Sequence, residues 1–447
     1  MSPTNASSSA LRADERARVE PNFAFLALRA VELSVRADPA HCVRGCARLG
    51  FLGRQTGLST HARGPLNSHP VRLTSTDTIH VEPDMPKVIS VFNNKGGVGK
   101  STICWNLADS LGRLGRRTLL VDFDPQCNLS IAVLGDKTFV DVLPTQNAPY
   151  GQAIRAFLQR FLQNTGGEQV FLHQGRHTNE NVKLVAGDFW LNVYADSLNV
   201  GSDLLSGTGL SRYVALRRVI EMAVDQAGHD FDYVLVDLPP SFGALVRAAF
   251  YSSDYFIVPC TSDNFSVYCI GLIGQMVPSF IDDWHSGLTR FKASNPHFTD
   301  FDDFGKPVFA GWIFNGFDTA RRRRTPAQIA AGAPMGQRQM NRADATMHQH
   351  AEKAIANGLI AQMNGINHYI AVANIPTQNS MIGDIEDANV LIQNSLWLNV
   401  PLSQLAAHQQ VVDLRDRAAW ADNQLEQITL LGQKFEECAR NILNICV

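Results

Sequence analysis

The stretch Lys95-Gly96-Gly97-Val98-Gly99-Lys100-Ser101-Thr102, directly after the apolar run 88–92, decides how this chain is read. An apolar strand that breaks into a glycine-rich loop and resumes as a helix aims successive backbone N–H groups, and the positive end of the helix, at one point. That arrangement suits a triphosphate. Gly96, Gly97 and Gly99 let the backbone close around the phosphates, where a Cβ would obstruct the approach. Lys100 is expected to neutralise the β- and γ-phosphates, and the Ser101 hydroxyl to complete a Mg²⁺ shell, so residues 95–102 are the expected binding loop for ATP and Mg²⁺. The loop departs from G-x-x-x-x-G-K-[ST] in having Asn94 at the first glycine and a second lysine, Lys95, after it. Lys95 lies beside the phosphates but cannot share the position of Lys100, so its expected role is to reach the nucleotide of a second subunit.

Two further runs place carboxylates near this loop. Residues 117–123 read R-T-L-L-V-D-F, a buried strand that ends in acid and continues as Asp124-Pro125-Gln126-Cys127-Asn128. Residues 233–241 read Y-V-L-V-D-L-P-P-S, four apolar residues ending at Asp237, whose carboxylate can hold Mg²⁺ directly or through water. In open α/β sheets ligands lie at the carboxyl ends of the strands, so Asp122, Asp124 and Asp237 are expected to emerge near the phosphates. A later strand, 308–315, ends in Asn315, which offers the adenine edge a donor and an acceptor together.

KGGVGKST resembles the deviant Walker motif of the ParA/MinD family of dimerising ATPases. D-x-D-P-Q-x-N resembles that family's switch I, and D-x-P-P-S its switch II, with Leu238 where Cys is frequent. The resemblance implies that Lys95 crosses the dimer interface, that Asp124 orients the attacking water, and that Asp122 supports the metal shell alongside Ser101 and Asp237. Lys95, Lys100 and Asp124 are then the catalytic residues. It also implies that Asn315 reads the base and that Ile375-Pro376, after a strand at 369–373, lines its other side, which adds Pro376 to the cofactor-binding set. The fold implied is a doubly wound, mostly parallel α/β sheet with helices on both faces.

Composition agrees. The chain has 447 residues, 45% of them hydrophobic, ample for a large α/β core. A net charge of −3 supplies no overall drive toward nucleic acid, so any DNA contact must come from a local patch. Eight cysteines without C-x-x-C spacing indicate reduced thiols and a cytoplasmic setting. No stretch approaches the roughly 18 consecutive apolar residues of a membrane span. The expected organisation is an extension over 1–84, an ATPase domain over 85–405 with insertions at about 150–181 and 318–353, and a helical segment over 406–447 packed on that domain.

The extension holds ten Arg and no Lys and shows no strand–helix alternation; it is expected to be disordered, or to precede a functional start at Met85. His41, Cys42 and Cys46 within it read as unpaired side chains rather than a metal site. The second insertion carries Arg321-Arg322-Arg323-Arg324, then Arg338 and Arg342, among few apolar residues. It reads as a mobile surface element, and its four consecutive arginines suit phosphate backbones without base specificity. At the C-terminus Leu425, Ile428, Leu431, Phe435, Cys438, Ile442 and Ile445 recur at helical spacing. The last residues offer only Lys434 and Arg440 against Glu426, Glu436 and Glu437, so core packing is expected rather than membrane binding.

The reading is a slow, partner-stimulated, Mg²⁺-dependent ATPase that forms a homodimer on ATP, binds DNA non-specifically and answers to a ParB-like partner. Its output would be partition or positioning of a plasmid, chromosome or integrated element, with the ATP-bound form on the nucleoid. The alternative is an ATP-dependent dimeric switch that positions a protein machine without touching DNA. Electron transfer is disfavoured, because Cys127 has no second cysteine at the expected place after switch II.

Overall fold

A computed structural model describes residues 85–199, 207–321, 330, 338–375, 378–411 and 419–447. The expected extension 1–84 with its His41, Cys42 and Cys46, together with Arg322, Arg323, Arg324 and Pro376, lies outside the described residues.

Short runs rich in Val, Ile and Leu between polar breaks form the strands β1 Lys87–Val91, β2 Thr118–Asp122, β3 Val182–Val185, β4 Tyr233–Asp237, β5 Tyr255–Thr261 and β6 Val308–Phe317. A hairpin of β7 Thr319–Arg321 and β8 Arg338–Met340 follows, and then β9 Met381–Glu386. The main sheet has the order β3-β2-β4-β1-β5-β6-β9, and its paired strands are all parallel. Such a sheet is covered on both faces, so its strands are apolar without alternation. Along β1, Val88 points into one core and Ile89 into the other, and Leu119 and Leu120 of β2 divide in the same way. The chain crosses from β1 to β2 on one side and from β4 to β5 on the other, which opens a crevice at the carboxyl end of β1.

One core layer contains helix α1, Lys100–Arg113, and the C-terminal helix α4, Asp422–Ile445. The other is dominated by α2, Asn264–Ser294, and by α3, Arg342–Ala354, which runs on through a π turn, Ile355–Ile360. By length and composition α2 could cross a membrane, with a mean hydropathy of 1.3. Its Ile270, Ile273, Val277, Phe280, Ile281 and Trp284 are instead buried against the sheet and the π turn, as a core helix requires. The approach is close: a Cβ on Gly274 would come within 2.5 Å of the Gly358 carbonyl oxygen.

Three expectations change. Residues 369–373 are not a sheet strand; they touch β6 through a single bridge, Phe309 to Val372, and the edge position belongs to β9. The segment 318–353 is ordered where described, because Arg338 bonds Thr319 Oγ1 at 2.7 Å and pairs with Glu386, and Asn341 caps α3. The C-terminal stripe packs as expected from Ile428 to Ile445, while Leu425, in the first turn of α4, stays 37% exposed.

Candidate nucleotide site

The loop between β1 and α1 is held from below. Asn93 is fully buried; its Nδ2 donates to the Pro259 carbonyl at 2.7 Å, and its Oδ1 accepts from the Lys95 N–H at 2.9 Å. One amide thus ties the loop's root to β5. Gly97 and Gly99 adopt φ of 75° and 80°, where a side chain would be strained. Nothing lies within 4 Å of a Cβ built on Gly96 or Gly97, so the outer face of the loop is open for phosphates. Val98 faces inward and is buried.

Lys100 is buried at the head of α1, with Nζ 3.3 Å from the Lys95 carbonyl. Burial lowers its pKa, and the charges of Asp237 and Asp124 pull the other way. Lys95 is folded back onto its own chain: Nζ donates to Thr261 Oγ1 at 2.8 Å and pairs with Asp263. Burial acts to raise the pKa of Asp263 but is outweighed by hydrogen bonds from Lys95, Thr261 and the Ser266 N–H, so the net shift is downward. Asp263 is also the N-cap of α2, accepting from Ser266 N at 2.9 Å. Next to it, Ser262 bonds Asp344, which accepts from the Asp318 N–H at 2.8 Å, so the root of the arginine hairpin and the resting place of Lys95 share neighbouring residues.

The three acids come together as the sequence predicts, in different states. Asp122 and Asp237 are register partners on β2 and β4, both fully buried. Asp122 Oδ2 accepts from Ser130 N at 2.8 Å and Ser130 Oγ at 2.6 Å, and Oδ1 accepts from Asp124 N at 3.3 Å. Burial pushes its pKa up to about 7 against these bonds. With both oxygens engaged, Asp122 ties the turn after β2 to the helix Asn128–Leu134. Asp124 is buried, accepts from Gln126 N at 2.9 Å through Oδ1, and has its pKa raised by burial against Gln126 and Lys100.

Among the described residues, Asp237 has no hydrogen-bond partner at either carboxylate oxygen. Burial and the neighbouring Asp122 raise its pKa to about 8; Ser101 and Lys100 lower it somewhat, although the Ser101 hydroxyl does not reach hydrogen-bond geometry. A buried carboxylate left unpaired is costly, and a cation removes that cost. Ser101, Asp237 and the open loop therefore fit a magnesium nucleotide. Among the described residues no group of three or more His, Cys, Asp or Glu converges on a metal, so the remaining ligands would come from phosphates and water.

Asn315 reaches the loop, where its Nδ2 donates to the Val98 carbonyl at 2.9 Å, close enough that a Cβ on Gly99 would collide with it at 2.6 Å. Thr102 is half-buried in the first turn of α1. Arg321 ends β7. Asn93, Ser130, Thr261, Asp263 and Gly187 were not singled out in the sequence. Gly187 packs so closely that a Cβ there would lie 2.9 Å from Asp122 Cγ, and its N–H donates to Ser130 Oγ at 2.8 Å. Only Asp263 had a readable local signal, a carboxylate three residues before Ser266 at a helix start.

A family model described as an AAA domain matches residues 86–289. The sporulation initiation inhibitor protein Soj of Bacillus subtilis is 30% identical over 188 residues, which are 41% of this chain and 61% of that protein. The chromosome-partitioning ATPase Soj of Treponema pallidum is 26% identical over 221 residues, 49% of this chain and 73% of that protein. The McdA–ATP complex of Cyanothece aligns at 16% identity over 80% of this chain and 97% of its own, with a TM-score of 0.47. The matches span 63% and 61% of the first curated relatives, an uncharacterized protein of Methanocaldococcus jannaschii and the Bacillus protein. With a phosphate loop carrying a second lysine at the crevice of this sheet, and with these matches, the chain is similar to the ParA-like P-loop ATPases.

Proposed function

We propose that this chain binds ATP with Mg²⁺ at the β1–α1 loop, closes face to face with a second copy, and hydrolyses ATP slowly until a partner protein stimulates it. The unpaired, buried Asp237 beside Lys100 and the open loop carries this reading, because it is a site built for a cation and phosphates. Bound magnesium would supply charge neutralisation there. Ser101 and Asp237 would hold it. Lys100 would pair with the outer phosphates, and Asp124 would orient the attacking water. Lys95, freed from Thr261 and Asp263, would reach across to the partner copy's nucleotide. Asn315 and Pro376 would flank the base, with Asn315 leaving the Val98 carbonyl to do so.

The cycle would act in the cytoplasm, and the ATP-bound dimer would bind non-specific DNA of the nucleoid through Arg321, Arg322, Arg323 and Arg324, to partition a plasmid, chromosome or integrated element. The chromosome-partitioning role in the name of the Treponema pallidum relative supports this output. Residues 85–405 would be the ATPase domain and 406–447 its packed helical segment. A switch that positions a protein machine without DNA gains weight from one observation: Arg338, at the base of the hairpin, is already spent on Glu386.

The test is DNA binding by an Asp124→Ala variant, across a salt series, in ATP and in ADP, with Lys95→Ala as the dimerisation control. Steep salt-dependent binding in ATP that Lys95→Ala abolishes supports partition. A variant that dimerises on ATP yet ignores DNA leaves the protein-machine switch.

A further inference from the structure

A second concave surface lies away from the nucleotide. The helix Arg155–Gln163, from the insertion between β2 and β3, packs beside the helix Ala215–Ala227, and the two border an open cavity of about 270 Å³. Its floor is apolar: Phe157 and Phe161, stacked with ring centroids 5.8 Å apart, and Met222. Its rim is acidic, with Glu168, Glu221 and Asp225. Arg218, also in the lining, is already paired with Glu221 at 2.7 Å. Positions 218, 221, 222 and 225 follow helical spacing, so one stripe of that helix lines the cavity, which no element among the described residues fills.

We propose that this groove docks a basic amphipathic helix of a partner protein, placing one large aliphatic or aromatic side chain on the Phe157–Phe161–Met222 floor and flanking lysines or arginines against Glu168, Glu221 and Asp225. The floor selects for an apolar anchor, because burying it there removes apolar surface from water on both partners. The carboxylates select the sign of the charge, and an apolar stripe between charged flanks is the helix-in-groove mode of recognition. Nucleic acid is disfavoured by the same carboxylates. Because none of these residues belongs to the nucleotide site, binding does not require ATP, and the proposal stands or falls separately from the ATPase reading.

The probe is a fluorescent, helix-forming Leu/Lys peptide with apolar residues on one face, compared with a Leu/Glu peptide of identical leucine spacing, each titrated into the full chain and followed by anisotropy. The expected result is saturable binding of the Lys peptide alone, equal with and without ATP. The double change Glu168→Lys with Asp225→Lys should weaken it at least tenfold, and Phe161→Ala should weaken it at unchanged salt dependence. The same charge reversal at Glu436 and Glu437, on the far C-terminal helix, should leave it unchanged. Equal binding of both peptides, no binding of either, or equal losses from the two charge reversals would overturn the proposal.

Discussion

Asp122 and Asp237 stand side by side on neighbouring strands, in register and equally buried, yet their surroundings are opposite. Asp122 is met by three donors, two from Ser130 and one from the Asp124 backbone, whereas Asp237 is met by none. Two carboxylates of the same type at the same depth are therefore a structural tether and an acid without a donor, the one proposed to hold the metal. Strand position alone does not assign a role; the count of donors does.

The sharpest way to break this comparison is Asp237→Ala. It should lower ATP hydrolysis by roughly a hundredfold or more, since it removes a carboxylate that would hold the metal. Asp237→Asn should do the same while leaving the nucleotide-free chain as stable as before or more so, because an unpaired buried acid is replaced by a neutral amide. Steady-state hydrolysis and urea denaturation read the two effects, and a less stable Asn variant would show that Asp237 is satisfied in the free protein.

The same contrast predicts a pH dependence. Both folded-state pKa values, about 7 for Asp122 and about 8 for Asp237, lie above the ordinary 3.8. The folded chain thus keeps protons that the unfolded chain has released. These groups' stabilising contribution is complete below pH 3.8 and is lost as pH rises through about 7 to 8. Denaturation midpoints measured without nucleotide or Mg²⁺ should fall across that window, and Asp237→Asn should flatten its upper part. Midpoints that rise instead would mean both acids are ionised and matched when folded.

On the tethered side, Ser130→Ala removes one of the two donors to Asp122 Oδ2 and the acceptor of the Gly187 N–H. A loss of about 1–3 kcal/mol is expected by urea denaturation, as for a buried group left short of a partner. Hydrolysis should fall through displacement of Asp124, with Mg²⁺ affinity nearly unchanged, whereas Asp237 variants should lose Mg²⁺ affinity.

The smallest stability effect belongs to Lys95. Its ion pair with Asp263 is partly exposed, at 20% and 38% of the two side chains, so Lys95→Met should cost under ~1 kcal/mol. Sedimentation in ATP should nevertheless show loss of self-association. Retained association would restrict Lys95 to its contact with Asp263.

Much of the sheet was legible because its signals are local. β1, β2 and β4 lie within a residue or two of the runs the sequence marks, since continuous apolar runs between polar breaks admit few alternatives. The edge was misread. Residues 369–373, Y-I-A-V-A, are a short apolar run like a strand, but β9, M-I-G-D-I-E, is the segment that pairs with β6, and α4 packs beside it, with Asn441 Nδ2 donating to the Ile382 carbonyl.

By itself the sequence determined the phosphate loop, the acids at the strand ends and the helical stripe at the C-terminus, because glycine conformation, strand composition and helical period are properties of adjacent residues. Only the tertiary structure decided which acid is satisfied, where Lys95 rests, and what holds the loop in place. Asn93 meets Pro259, Lys95 meets Asp263 and Gly187 meets Ser130 across 166, 168 and 57 positions of chain, and hydrogen bonds between such distant residues have no local pattern from which they could be read.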